Sequence, residues 1–212
     1  MGTQNMKQVK IDIFADYACP FVFNAYMWLS KIKNHYGDNL NIKWKSFLLD
    51  TKDVNFDWKN PETLSSNRSL MSLIAAKAAK RQGEDLFQRY HDKLLISRNS
   101  QIKRIRLNDK PTLIRLANEC DLDLNQFEVD LNSEQIIDEV SSDHNEAVNK
   151  FGIFGTPTFV FENGNSIYLK TFIPTEQNAT KSFEHFLSIS KDCSFIGEMK
   201  RPQPPWPSGY DV

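Results

Sequence analysis

The sequence predicts an α/β fold in which a central mixed sheet is interrupted by an all-helical insertion. Three observations carry this. Residues 9–49 read as strand, helix, strand; residues 61–149 show only helical periodicity; residues 158–189 return to strand, tight turn, strand and helix.

Val9, Ile11 and Ile13 alternate with polar neighbours before Phe14 and Ala15, the period-two pattern of a strand. Asp16-Tyr17-Ala18 then makes a short turn into Cys19-Pro20. Pro20 suits the first turn of a helix, where its missing N–H would have no partner anyway. Phe23, Tyr26, Met27 and Ile32 recur at near-helical spacing as far as Gly37, and residues 41–49 alternate again through Ile42, Trp44, Ser46 and Leu48. Strand, helix, strand in this order makes the two strands parallel.

Asn60 caps, and Pro61 opens, a helical stretch rich in Ala, Leu and Lys that runs through Arg81 and stops at Gly83. Over residues 84–95, Leu86, Phe87, Tyr90 and Leu94 share one face. Residues 111–119 and 125–131 read as short helices, and residues 133–151 as a longer one. Thr158-Phe159-Val160-Phe161 is an apolar strand, Asn163-Gly164 a hairpin turn, and residues 166–172 the antiparallel return. Residues 175–189 supply the last helix. The division expected is therefore 1–58 with 150–192 for the sheet domain, 59–149 for the insertion, and 193–212 for an extended Pro-rich tail. That tail carries a Pro-x-x-Pro spacing at Pro202 and Pro205.

A chain of 212 residues can bury a substantial core, and 40% hydrophobic with 25% charged residues is an ordinary globular balance. The formal net charge of −1 supplies no global field toward nucleic acid or an anionic membrane, so partners must be argued from a local site. No stretch approaches the roughly 18 apolar residues of a membrane span, and the apolar run at 9–14 is too short for a signal-peptide core. The three cysteines, Cys19, Cys120 and Cys193, are odd in number and far apart, against a disulfide framework. A reducing cytoplasm is the expected location.

Cys19 falls where a strand hands over to a helix. Unpaired N–H groups and the dipole at a helix N-terminus favour a thiolate, and such cysteines titrate at about 3.5–7.5 instead of about 8.5. Taken alone, a cysteine near a strand end reads equally as a small buried hydrophobe. The second feature is Phe151-Gly152-Ile153-Phe154-Gly155-Thr156-Pro157-Thr158-Phe159-Val160. Pro157 stands directly before a strand, where a cis peptide in a tight turn is one way to accommodate it; an ordinary loop is the other.

Together, Ala18-Cys19-Pro20-Phe21 opening the first helix and Gly155-Thr156-Pro157-Thr158-Phe159 opening the third strand resemble the DsbA-like branch of the thioredoxin superfamily. Within that branch the chain looks like the cytosolic FrnE-type dithiol–disulfide oxidoreductases or isomerases, over about residues 9–189. The resemblance implies a thioredoxin-like fold, with Cys19 as nucleophile and Pro20, Phe21, Thr156 and Pro157 as the substrate-binding surround. One departure matters: the family motif Cys-Pro-x-Cys reads here Cys19-Pro20-Phe21-Val22. Valine cannot resolve a mixed disulfide, so the implied chemistry runs through a single thiol. It implies no tightly bound cofactor, glutathione as a candidate co-substrate, a thiol or disulfide substrate that is a small molecule or a peptide, and a second copy of the chain as a candidate homodimer partner.

Two other readings stay open. Kappa-class glutathione transferases and 2-hydroxychromene-2-carboxylate isomerases resemble the same fold and insertion but place a serine at the active position. A non-catalytic protein keeping the fold's peptide groove is the third.

His35, His91, His144 and His185 are scattered without metal-ligand spacing; each reads as a surface or helix-flank residue, and no metal is expected. Asp16 reads as a proton acceptor for the thiol or as a turn former. Arg98, Lys103, Arg104, Arg106 and Lys110 form the densest basic stretch, a solvated face or an attraction for an anionic ligand such as the carboxylates of glutathione, with Arg68, Lys77, Lys80 and Arg81 as possible additions. Tyr17, Phe21 and Phe23 read as an apolar substrate wall or as core, with core favoured for Phe23.

Overall fold

The computed structural model describes residues 8–51, 56–100 and 102–200. The polar N-terminus through residue 7 and the spacing at Pro202 and Pro205 lie outside them. The first unit is β1 (Val9–Ala15), α1 (Pro20–Tyr36), a 3-10 turn at Gly37–Asn39, and β2 (Leu40–Ser46). β1 and β2 are parallel in unbroken register from Val9↔Leu40 to Ala15↔Ser46. Gly37 sits at φ 51°, where a side chain would be strained, so glycine is what lets the helix turn back at once.

The insertion follows as α2 (Pro61–Ser66), α3 (Leu70–Arg81), α4 (Glu84–Asn99), α5 (Lys110–Glu119), α6 (Leu124–Leu131) and α7 (Glu134–Phe151). The single helix expected through Arg81 is two. Asn67 interrupts it: its Oδ1 accepts from Ser69 N and Leu70 N, both at 3.0 Å, so the chain is recapped and restarts. β3 (Thr158–Phe161) and β4 (Ser166–Tyr168) make the hairpin, and α8 (Glu176–Asp192) ends the described fold. The return strand stops at Tyr168, short of the 172 expected. Beyond it the backbone turns to α1, with Thr171 O accepting from Asn24 Nδ2 at 2.7 Å and Pro174 O from Lys31 Nζ at 2.9 Å.

The sheet order is β2-β1-β3-β4, with β1–β3 and β3–β4 antiparallel. The period-two pattern of β1 divides its two faces. Val9, Ile11 and Ile13 pack with Trp28, Ile32, Phe159, Phe183 and Phe186 under α1 and α8. Phe14 packs with Phe47, Ala147, Ile153 and Val160 under α7. The largest apolar cluster joins the insertion to the turn after β1, and Tyr17, Cys19, Val22 and Phe23 are part of it. Cys19 thus lies on the seam between sheet and insertion.

Candidate active site

Cys19 is the N-cap residue of α1, extended at φ −84° and ψ 119°, with Pro20 in the first turn. The turn that delivers it is built on Asp16. Its carbonyl accepts from Cys19 N at 2.9 Å, and its Oδ1 accepts from Ala18 N at 2.8 Å. The other carboxylate oxygen accepts from Leu49 N at 2.9 Å and from Ser69 Oγ at 3.0 Å. Asp16 is fully buried. Burial raises its pKa, and the bonds from Leu49, Ala18 and Ser69 pull it back. With both oxygens committed, the geometry favours the turn-forming reading of Asp16.

Cys19 is buried, 8% exposed as a residue, and its Sγ donates to Thr156 O at 3.2 Å. The Thr156–Pro157 peptide is cis, the alternative that the position before a strand raised. Thr158 Oγ1 ties the same loop by donating to Gly155 O at 2.7 Å. The structure therefore brings together Cys19, Pro20, Phe21, Thr156 and Pro157, residues 137 apart in sequence at the thiol contact. Pro20 is exposed and Phe21 half-buried, whereas Thr156 and Pro157 are buried, and Thr156 meets the thiol through its backbone carbonyl.

Other expectations need correction. His91 and His144 are buried, not on the surface. His91 Nδ1 lies 2.8 Å from Tyr17 Oη, with the rings of Trp44 and Phe87 at 4.5 and 5.4 Å. Burial, and secondarily Lys80, push its pKa down to about 3. His144 accepts from Leu48 N at 3.2 Å between the rings of Phe47 and Trp58, and burial lowers its pKa. The signal was present: His91 shares the apolar face of Phe87, Leu94 and Leu95, and His144 that of Val140 and Ala147. Tyr17 and Phe23 are core, which leaves Phe21 as the aromatic beside the thiol. The cleft bordered by Tyr17, Trp44, Leu73, Phe87 and His91 holds only about 20 Å³, room for one water.

All three cysteines are free. Cys120 is buried within the insertion, and burial raises its thiol. Lys77, Lys80 and Arg81 do not join the basic stretch; they pair with Asp143, with Glu84, and with Asp130 and Glu139. Among the described residues no helix is long and apolar enough to cross a membrane, and no three His, Cys, Asp or Glu side chains converge as metal ligands.

The family model of the DSBA-like thioredoxin domain matches residues 10–180. The chain belongs to the DSBA-like thioredoxin family. Its match spans the strand that precedes Cys19, the whole insertion and the loop at Pro157. This DSBA-like chain is similar in fold to a probable DsbA oxidoreductase from Streptomyces coelicolor, with TM-score 0.63 and 17% identity over 97% of this chain and 99% of that one. It is also similar to a cytosolic disulfide reductase, DsbM, from Pseudomonas aeruginosa solved with GSH, with TM-score 0.57 and 16% identity over 84% and 98% of the two chains. A 2-hydroxychromene-2-carboxylate isomerase gives TM-score 0.60 and 15% identity over 89% of this chain and 100% of that one. At these identities the likeness is one of fold. No curated protein matches the sequence.

Proposed function

We propose that the protein is a thiol–disulfide oxidoreductase of the DsbA-like kind that works through one nucleophile, Cys19, with a small thiol such as glutathione in place of an internal resolving cysteine. The observation that carries this reading is the Cys19 Sγ to Thr156 O contact of 3.2 Å at the amino end of α1. Val22, where the motif would place a second cysteine, has no exposed surface and bonds back through its N–H to Cys19 O at 3.1 Å.

The Cys19 thiol gives its proton to solvent, and the thiolate attacks one sulfur of a disulfide R–S–S–R. The Cys19–S–R bond forms as the S–S bond breaks, and the second sulfur leaves as a thiolate that takes a proton from solvent. Charge held on sulfur during this exchange lies at the amino end of α1, where helix N–H groups and dipole favour it. A second small thiol then attacks the mixed disulfide, releasing Cys19 and a new disulfide. With R′SH as that small thiol, one turnover converts R–S–S–R and R′SH to R–S–S–R′ and RSH. A second turnover on R–S–S–R′ with another R′SH gives R′–S–S–R′ and the second RSH. Two small thiols are thus oxidised as the original disulfide is reduced only over two turnovers, and the protein is unchanged. Thr156 and Pro157 supply backbone against which a substrate chain lies, and Pro20 and Phe21 line the approach. The FrnE-type likeness and a cytoplasmic location belong to this reading.

The test is to incubate reduced protein with oxidised glutathione and weigh it. One glutathionyl group on Cys19, absent in Cys19→Ser and removed by added glutathione, is the expected result. A thiol that stays unmodified overturns the reading. A second reading has its own observation: the thiol is largely buried and the motif lacks its partner, as suits a glutathione transferase or isomerase without net redox chemistry, or a binding protein. Conjugation of an electrophile to glutathione that survives Cys19→Ser would favour the enzyme of that class. Retained ligand binding with no reaction of Cys19 would favour the binding protein.

A further inference from the structure

Most cations of this chain that pack against the fold have a carboxylate. Lys45 pairs with Asp12 and Glu146, Lys77 with Asp143, and Arg81 with Asp130 and Glu139. Lys170 departs from this pattern. Lys170, just past β4, holds its Nζ 5.4 Å from the centroid of the Phe21 ring and 5.7 Å from that of Tyr168. It forms no ion pair among the described residues, and it is exposed.

Both rings beneath it are tied to the thiol. Phe21 is two residues past Cys19 on the first turn of α1. Tyr168 lies so close to Gly155 that a Cβ built there would stand 3.0 Å from its Cε2. Gly155 adjoins Thr156, whose carbonyl takes the Cys19 bond. The ledge continues to Phe154, whose ring is 5.1 Å from Tyr168 and which is 77% exposed. An ammonium resting on ring faces is steered but not neutralised, because the cation–π attraction leaves its N–H donors free.

We propose that Lys170, seated on Phe21 and Tyr168 beside Cys19, is a specificity-determining residue that binds a substrate carboxylate, so that the protein serves small disulfides and thiols carrying a carboxylate close to sulfur. The inference rests on Cys19 being the nucleophile. A charge-assisted ammonium–carboxylate bond at the rim of a site selects among partners and speeds their approach more than it adds raw affinity.

The experiment measures the second-order rate at which Cys19 of the reduced full chain reacts with a dianionic aromatic disulfide, bis(nitrobenzoate), and with a neutral one, dipyridyl disulfide. The ratio of the two rates is compared with that for a free cysteine amide. The ratio should exceed the free-thiol value and shrink as salt is added. In Lys170→Gln it should fall about three- to tenfold, the size of one partly exposed charge contact. In Lys170→Glu it should fall further. A ratio that these variants leave unmoved, with the neutral disulfide reacting well, overturns the specificity proposal alone. A wild-type thiol that reacts with neither probe overturns the assignment of Cys19, and this proposal with it.

Discussion

Ser69 donates its hydroxyl proton to Asp16 Oδ2 at 3.0 Å, a bond across 53 residues that locks the start of α3 to the turn presenting Cys19. Both residues have no exposed surface, so neither water nor a neighbouring side chain replaces the bond when it is lost. Ser69→Ala should cost about 1–3 kcal/mol in denaturant unfolding, the range for leaving one buried acceptor short of a donor. Asp16→Ala, which strands Ala18 N, Leu49 N and Ser69 Oγ together, should cost about 2–4 kcal/mol. If the lock positions the thiol, Ser69→Ala also changes the alkylation rate of Cys19 under native conditions, where a variant that is merely less stable would not.

Acid should destabilise the protein through His91. Its folded pKa of about 3 lies below the ordinary 6.5, so the unfolded chain takes up a proton that the buried ring refuses. Its stabilising share is fully present above pH 6.5 and is lost as pH falls toward 3, on the order of 5 kcal/mol at full development. His144, also lowered by burial, adds to the same slope. Asp16 works in the opposite sense: its pKa is raised above 3.8, so its share is complete below that value and is lost as pH rises through the folded pKa. Urea unfolding between pH 6.5 and 4 should therefore show a positive slope of stability with pH. His91→Gln, which keeps a hydrogen-bonding group for Tyr17 Oη and does not titrate, should flatten it; an unchanged slope would remove His91 from the account.

The elements were legible in the sequence because each announces itself locally. Pro20 and Pro61 open helices, Gly37 and Gly83 end them, and the period-two run at Val9, Ile11 and Ile13 marks a strand buried on one face. The two chemistry-bearing segments, at Cys19 and at Thr156-Pro157, were legible for the same reason. What joins them was not. The Ser69–Asp16 bond and the Lys170 perch on Phe21 and Tyr168 are contacts between segments 53 and about 149 residues apart, and nothing in either segment alone fixes its partner. His91 and His144 are buried because each lies on the apolar face of its helix, a position that overrides the polar character of the residue type.

Val22→Cys should restore a dithiol. Val22 sits one turn after Cys19, and its N–H bonds to Cys19 O at 3.1 Å, so the two side chains leave the same first turn of α1. Valine and cysteine are close in volume, and the swap should cost less than about 1.5 kcal/mol. The expected outcome is loss of both motif thiols on mild oxidation, counted against the free Cys120 and Cys193, and reduction of a substrate disulfide without added glutathione. Should the variant still depend on an external thiol, the motif turn does not bring the two sulfurs together.

Gly155→Ala tests whether the loop at Pro157 and the aromatic ledge act as one piece. The new Cβ would stand 3.0 Å from Cε2 and 3.3 Å from Cζ of Tyr168, closer than carbon atoms settle, so the ring or the loop must move. The ring also packs against Phe154, and it carries Lys170; the loop is held by the Thr158 Oγ1 bond to Gly155 O and by the thiol contact at Thr156 O. Overpacking of this kind costs about 1–3 kcal/mol. If the ring yields, the preference of Cys19 for the anionic disulfide falls while its reaction with the neutral one persists. If the loop yields, the Cys19–Thr156 contact breaks and both rates change together. The ratio of the two rates, measured beside the unfolding free energy of the variant, tells which side of the contact is the stiffer.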